Sequence, residues 1–217
     1  DEEALWFFNG DVNEIPIKKI EKKSKSYKET GLFSLRKNKE TFMMIILKDN
    51  KTRPGQMDQL HLDLWHKGKN ILCDSGSYSY ADPIGKKMSL TAAHNTAKVN
   101  NVEQMNKRGA FFVTNWSRAK DIKSSKDSFT GTMVSKNGYK HTRHIKSVNK
   151  GYVIKDEVTG NGEYCEFNFH TPCYVELIEN GFNLFHGNKL MCTISTEEDL
   201  NLEVKKAYRS LYYLKKD

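Results

Sequence analysis

DQLHLDLWHKGKNILCDSGSYSY, residues 58–80, decides the fold. Leu60, Leu62 and Leu64 alternate with Gln59, His61, Asp63 and Trp65. Side chains on a strand point to opposite faces in turn, so this pattern places the leucines on one face and the polar set on the other. The turn at 66–70 (HKGKN) follows, and Ile71, Leu72 and Cys73 return as a second apolar run. Two short β-patterned runs around a glycine-containing turn predict a hairpin. Its second strand runs directly into Asp74-Ser75-Gly76-Ser77-Tyr78-Ser79-Tyr80. A functional side chain often stands where a buried strand meets a loop.

Outward from the hairpin, the same two-residue period recurs. Strands are predicted over residues 42–47, 96–99, 111–119, 128–134, 141–148, 152–158, 164–169, 174–178, 182–185, 190–194 and 202–204. The run 42–47 (FMMIIL) is apolar throughout and predicts a strand buried on both faces. Asn137-Gly138, Asn161-Gly162 and Asn180-Gly181 mark turns that favour positive φ. Many short strands at regular spacing predict an all-β chain: a large antiparallel β-sandwich with little helix. Residues 102–107 are expected to form one or two helical turns. Residues 18–28, charged and rich in serine and lysine, are expected to be an exposed loop. The domain division that follows is a lead-in segment with an exposed loop over 1–30 and a sandwich over 31–217.

Composition narrows the functional classes. A chain of 217 residues with 37% hydrophobic and 11% aromatic residues can bury a sizeable core. A formal net charge of +8 favours acidic partners without choosing among them. Cys73, Cys165, Cys173 and Cys192 show no CxxC spacing, which argues for free thiols packed as small apolar groups. No stretch of about 18 apolar residues occurs, so no membrane span is expected. There is no GxSxG, GxxxxGK[ST], GxGxxG or HExxH. The basic balance comes without an RNP-like aromatic motif, so nucleic acid is not the expected partner.

Polar candidates concentrate between Arg53 and Gln104. Asp74 and His94 offer the carboxylate and imidazole of a zinc site. His61, Asp63 and Trp65 share a strand face, where the Trp65 ring offers a flat platform for a sugar. Tyr80 carries a phenol that could serve as an acid or base.

These residues resemble a known family. GLFSLR (31–36), Arg53-Pro54, the 58–80 block, TAAHNTAKVNNVEQM (91–105), HTRHIKSV (141–148) and KDEVTGNGEYCEFNFHTP (155–172) are similar, in order, to the C-terminal β-domain of heparinase II/III-type polysaccharide lyases. The resemblance implies a supersandwich-like domain that follows a helical toroid, with the active site between them. It implies cleavage of acidic, uronic-acid-containing polysaccharides by β-elimination, and a bacterial protein exported to the periplasm or secreted. It implies a structural zinc, with Asp74 and His94 as ligands. The third ligand of the family, a histidine, falls at Gln56 here, and a family catalytic histidine falls among Arg53-Pro54-Gly55. Gln56, His61 and Tyr80 are therefore the catalytic candidates, with His61 or the toroid expected to supply the imidazole. Arg53, Trp65, Asn95 and Arg143 are the candidates for substrate contact. The chain is expected to hold only the sandwich, to lack a final strand, and to be inactive without its toroid. The competing expectation is a non-catalytic carbohydrate-binding or scaffold domain, which Gln56 favours.

Overall fold

The computed structural model describes residues 21–217. The hairpin is present. Strands β1 (Lys25–Tyr27), β2 (Leu32–Arg36), β3 (Phe42–Ile46), β4 (Leu62–His66) and β5 (Lys69–Leu72) form one antiparallel sheet in chain order. Lys67 and Gly68 both take positive φ, 50° and 73°. That is the two-residue turn whose twist matches the strands on either side. The expected loop at 18–28 lies partly outside the described residues. Its described end is not all loop, because Lys25–Tyr27 pair with β2 as an exposed edge strand.

A second antiparallel sheet contains β9 (Arg118–Ser124), β10 (Ser128–Val134), β11 (Tyr139–Val148) and β12 (Gly151–Gly160). The two sheets face each other. Phe33 of β2 meets Phe129 of β10 with ring centroids 4.9 Å apart. Leu35, Met43, Ile45, Leu62 and Ile71 from one sheet pack with Met133, Tyr139 and Ile145 from the other in a single apolar cluster. Each buried Leu, Ile or Phe contributes roughly 1.5–3 kcal/mol of transfer free energy. The architecture is thus an antiparallel β-sandwich, as the alternation predicted.

Smaller sheets complete the chain. β6 (Ala97–Val99) pairs with β13 (Cys165–Phe167), β7 (Asn106–Lys107) pairs with β8 (Val113–Thr114), and β14 (Tyr174–Ile178), β15 (Gly181–His186) and β16 (Lys189–Ser195) form a three-stranded sheet. Among the described residues the helical elements are α1 (Pro83–Met88) and a 3-10 turn at Thr91–Ala93. Asp82 caps α1 by accepting from the Ile84 N–H, and Pro83 opens it. Both are helix-start signals.

Several local expectations are corrected. β3 is buried on one face only; Met44 remains exposed because a two-layer sandwich leaves each sheet an outer side. Residues 102–107 form a bridge and the short strand β7 rather than a helix. Residues 111–119 divide between β8 and the start of β9, and 202–204 form no strand. Cys73 is buried, while Cys165, Cys173 and Cys192 are half-buried free thiols.

Candidate functional site

The site grows from the β4–β5 hairpin. Leu60 takes a left-handed φ of 60°, which breaks the strand just before β4. The alternation therefore fails at His61, which turns inward instead of joining Asp63 and Trp65 outside. There its Nδ1 accepts the Asn95 backbone N–H at 2.9 Å. Past β5, Asp74 closes a tight turn: its Oδ1 accepts the Gly76 N–H at 2.6 Å. Gly76 has φ +83°, and a Cβ there would lie 1.9 Å from the Ser210 carbonyl oxygen, so only glycine allows the turn. His94 follows the 3-10 turn and donates from Nδ1 to Asp74 Oδ2 at 2.8 Å.

His61, Asp74 and His94 thus converge, with ligand atoms all within 4.8 Å of one another. The structure brings together the two expected ligands, and His61 joins them. The two imidazole rings meet edge to face at 5.6 Å. Burial pushes the His61 imidazole down to about 3, against the pull of Asp74, so it is neutral near pH 7. Burial opposes the charged form of Asp74, yet the His94 hydrogen bond, both imidazoles and the Gly76 N–H outweigh it and hold the carboxyl below its ordinary range.

Two imidazoles and a carboxylate are a donor set that suits zinc. The buried His94 Nε2 also has no hydrogen-bond partner. One cost stands against this. Neutral His61, accepting at Nδ1, carries its proton on Nε2, the nitrogen that faces Asp74 at 3.9 Å. Ligation through Nε2 would move that proton to Nδ1 and break the bond from Asn95. Losing one buried hydrogen bond costs about 1–3 kcal/mol, whereas a structural zinc site gains on the order of 10 kcal/mol. The residues therefore fit the ion at an affordable local cost.

The remaining candidates separate into three groups. Arg53, Gln56 and Tyr80 line one cleft with Lys86, Lys107 and Phe111. Gln56 donates from Nε2 to Ser77 Oγ at 3.1 Å and leaves its Oε1 buried without a partner. The Arg53 guanidinium lies 5.2 Å over the Phe111 ring, and that ring packs on Tyr80 at 5.1 Å. Tyr80 and Phe111 are more than half exposed, at 59% and 55%. Lys86, Lys107 and Phe111 escaped the sequence reading because nothing in their spacing marks them.

Asn95 and Arg143 form the second group, and a role in substrate contact is corrected for both. Each is fully buried. Asn95 donates to the Leu62 and Cys73 carbonyls and accepts the His170 N–H, so its amide is used up clamping the hairpin. Arg143 makes a two-toothed pair with Asp156 and donates to the Leu60 and Asn95 carbonyls across the sandwich. The third group is Trp65 alone, which stacks on Phe42 at 5.9 Å, outside both the cleft and the histidine cluster. His61 is corrected as a catalytic base: it is buried and its free lone pair is taken by Asn95.

A family model described as "Heparinase II/III-like, C-terminal" matches residues 19–208. The chain belongs to the heparinase II/III-like family. Solved structures agree on the fold of this C-terminal domain. It is similar to the structure titled Heparinase III-BT4657 gene product with methylated lysines, at 21% identity and TM-score 0.74, over 99% of this chain and 34% of that one. It is also similar to a mutant of heparan sulfate lyase HepC from Pedobacter heparinus, at 18% identity and TM-score 0.72, over 98% and 35%. A further structure, Heparinase III, matches at 22% identity and TM-score 0.53, over 76% and 28%. Among curated proteins no sequence matches. The chain spans about a third of the length of the first two solved relatives.

Proposed function

We propose that this heparinase II/III-like domain is the sandwich half of a polysaccharide lyase that cleaves acidic, uronic-acid-containing glycans by β-elimination. The observation that carries this reading is the cleft that unites Arg53, Lys86 and Lys107 with the exposed rings of Tyr80 and Phe111. Cations draw in a polyanion, and the aromatic faces suit the apolar side of a sugar ring.

In the reaction, a base removes the proton at C5 of the uronic acid. The C4–O bond then breaks, C4=C5 forms, and the leaving oxygen takes a proton. The carboxylate beside C5 gains charge as the proton leaves, so donors must face it beforehand. The Gln56 amide and the Arg53 guanidinium are those donors. Neither can accept a proton at neutral pH. Tyr80 is the one catalytic candidate in the cleft whose hydroxyl can give or take a proton, and it is assigned to the leaving oxygen. The base comes from the partner toroid, because His61 has no lone pair to offer. The isolated domain is accordingly inactive. Zinc held by His61, Asp74 and His94 would tie the hairpin to the turn after Thr91–Ala93, a structural role. A glycan substrate of this kind favours a periplasmic or extracellular location for the protein.

The test is turnover of acidic polysaccharides by the full-length protein, followed by the ultraviolet absorbance of the unsaturated uronate. Product is expected, and Tyr80→Phe should lower kcat by about 10²–10⁴-fold. Absence of product with every uronate-containing polysaccharide overturns the reading. A second reading, a non-catalytic carbohydrate-binding domain, is favoured by Gln56 standing in the cleft where an imidazole would be needed. Binding without turnover by the full-length protein would establish it.

A further inference from the structure

The outer face of the β9–β12 sheet is neither cleft nor core. The register defines its rows. Lys123 lies across from Thr130, then His144, then Lys155. Lys120 lies across from Thr132, then Thr142, then Glu157. Arg118, Val134, Lys140 and Thr159 make a third row, and Ser128, Lys146 and Val153 a fourth. The alternate residues Phe129, Gly131, Met133, Tyr139, His141, Arg143 and Ile145 all face inward. Alternation has therefore sorted lysine and hydroxyl groups onto one flat surface.

The charges on that surface are unequally matched. Arg118 is held by Asp49 and Lys155 by Glu157. Lys120, Lys123, Lys140 and Lys146 have no carboxylate within ion-pair distance among the described residues. The exposed acidic groups beside them are Asp121, at the irregular register where β9 bulges, and Glu157, which Lys155 holds. Between the lysines lie the hydroxyls of Ser128, Thr130, Thr132, Thr142 and Thr159. Thr132 and Thr142 bond each other at 2.8 Å, and Thr130 meets His144 Nδ1 at 3.1 Å. Neighbouring strands are about 4.8 Å apart and same-face residues along a strand about 6.7 Å apart, so the cations span a field roughly 15 by 20 Å.

We propose that this face is a second binding surface for an acidic polysaccharide, carrying sulfate or carboxylate groups, apart from the cleft around Arg53 and Tyr80. The inference rests on the glycan reading above for the class of ligand. The unmatched lysines supply charge complementarity at several points, and the threonine rows supply hydroxyl partners between them. Nucleic acid fits less well. Among the described residues no phenylalanine, tyrosine or tryptophan ring is presented on the face for a base to stack on, His144 being its one imidazole, and a sheet face offers nothing that enters a groove. Such a surface would hold a long chain while its end or middle is worked on elsewhere.

The experiment uses the full 217-residue chain with heparin oligosaccharides, measuring affinity across a salt series. A variant combining K120Q, K123Q, K140Q and K146Q changes only exposed groups, and its melting temperature checks that it folds. Its heparin affinity is expected to fall at least about tenfold, with a shallower salt dependence. A second variant, R53Q with K107Q, should retain most of the binding. Unchanged heparin affinity in the four-lysine variant overturns the inference, as does loss confined to the cleft variant. Equal affinity for duplex DNA, lost in parallel, would also overturn it by showing an unselective polyanion surface. Failure of the full-length protein to form unsaturated product would sink the lyase reading and leave this binding result standing.

Discussion

Two His–Asp clusters lie among the described residues, and they are finished differently. In the interior, Asp156 accepts from Arg143 at two points and from His141 Nε2 at 2.8 Å. Arg143 donates both Nη1 hydrogens to two backbone carbonyls. At the hairpin, Asp74 receives His94, but His61 Nε2 stays 3.9 Å away and His94 Nε2 has no partner. The first cluster is closed and fastens two sheets together. The second is left open at the nitrogen atoms. A buried polar cluster that satisfies every member serves the fold, whereas one with unused donors and acceptors is equipped for a ligand.

The sharpest way to break this comparison is Arg143→Ala. It strands the Asp156 carboxylate between the layers, and loss of about 3–5 kcal/mol is expected in urea unfolding. Loss below 1 kcal/mol would mean the inner cluster is not a fastener. The same carboxyl is held well below its usual range: burial opposes the charged form, but Arg143 and His141 prevail. Its stabilising contribution is therefore present above about pH 4 and lost as pH falls further.

A smaller effect is expected at the open cluster. Zinc in hundredfold excess over its dissociation constant should stabilise the chain by about 2.7 kcal/mol, read as a rise in melting temperature. His94→Ala should abolish that rise. If zinc leaves the wild-type melting curve unmoved, the open cluster is not a metal site.

The smallest effect comes from Asp63, a carboxyl that belongs to neither cluster. Burial raises it from its ordinary 3.8 to about 6, although the Asn70 amide donates to it at 2.7 Å. With a raised value in the folded state, its contribution is present below about pH 4 and is lost as pH rises through 6. Asp63→Asn keeps the acceptor for Asn70 and removes the charge. It should stabilise the chain by about 1 kcal/mol at pH 7, after discounting for remaining solvent, and by nothing at pH 4. Equal melting temperatures at pH 7 would show that Asp63 is better solvated than its position suggests.

Much of the fold was legible in the residues. The 59–65 alternation became a strand from Leu62 onward, the turn expected over 66–70 closed at Lys67-Gly68, and the Ser128–Val134 pattern became a strand. The helix at Pro83–Met88 was missed although Asp82-Pro83 announced it. Of the site, Asp74 and His94 were found as partners. His61 was placed on the wrong face, because the left-handed residue Leu60 resets the alternation and nothing local reveals it. Arg143 was expected to contact substrate, because its charge suggested an exposed position. Its true position depends on Asp156, directly opposite on the next strand.

Side-chain alternation and turn chemistry are properties of a few neighbouring residues, so the sequence alone determined most of the strands, the class of fold and the family. Which polar groups are closed and which are open depends on partners dozens of residues away: Asn95 on His61, Leu60 on Arg143, Ser210 on Gly76. Those pairings exist only once two sheets have been pressed together and water removed. Burial then decides whether a charge must be matched, and packing decides what is there to match it.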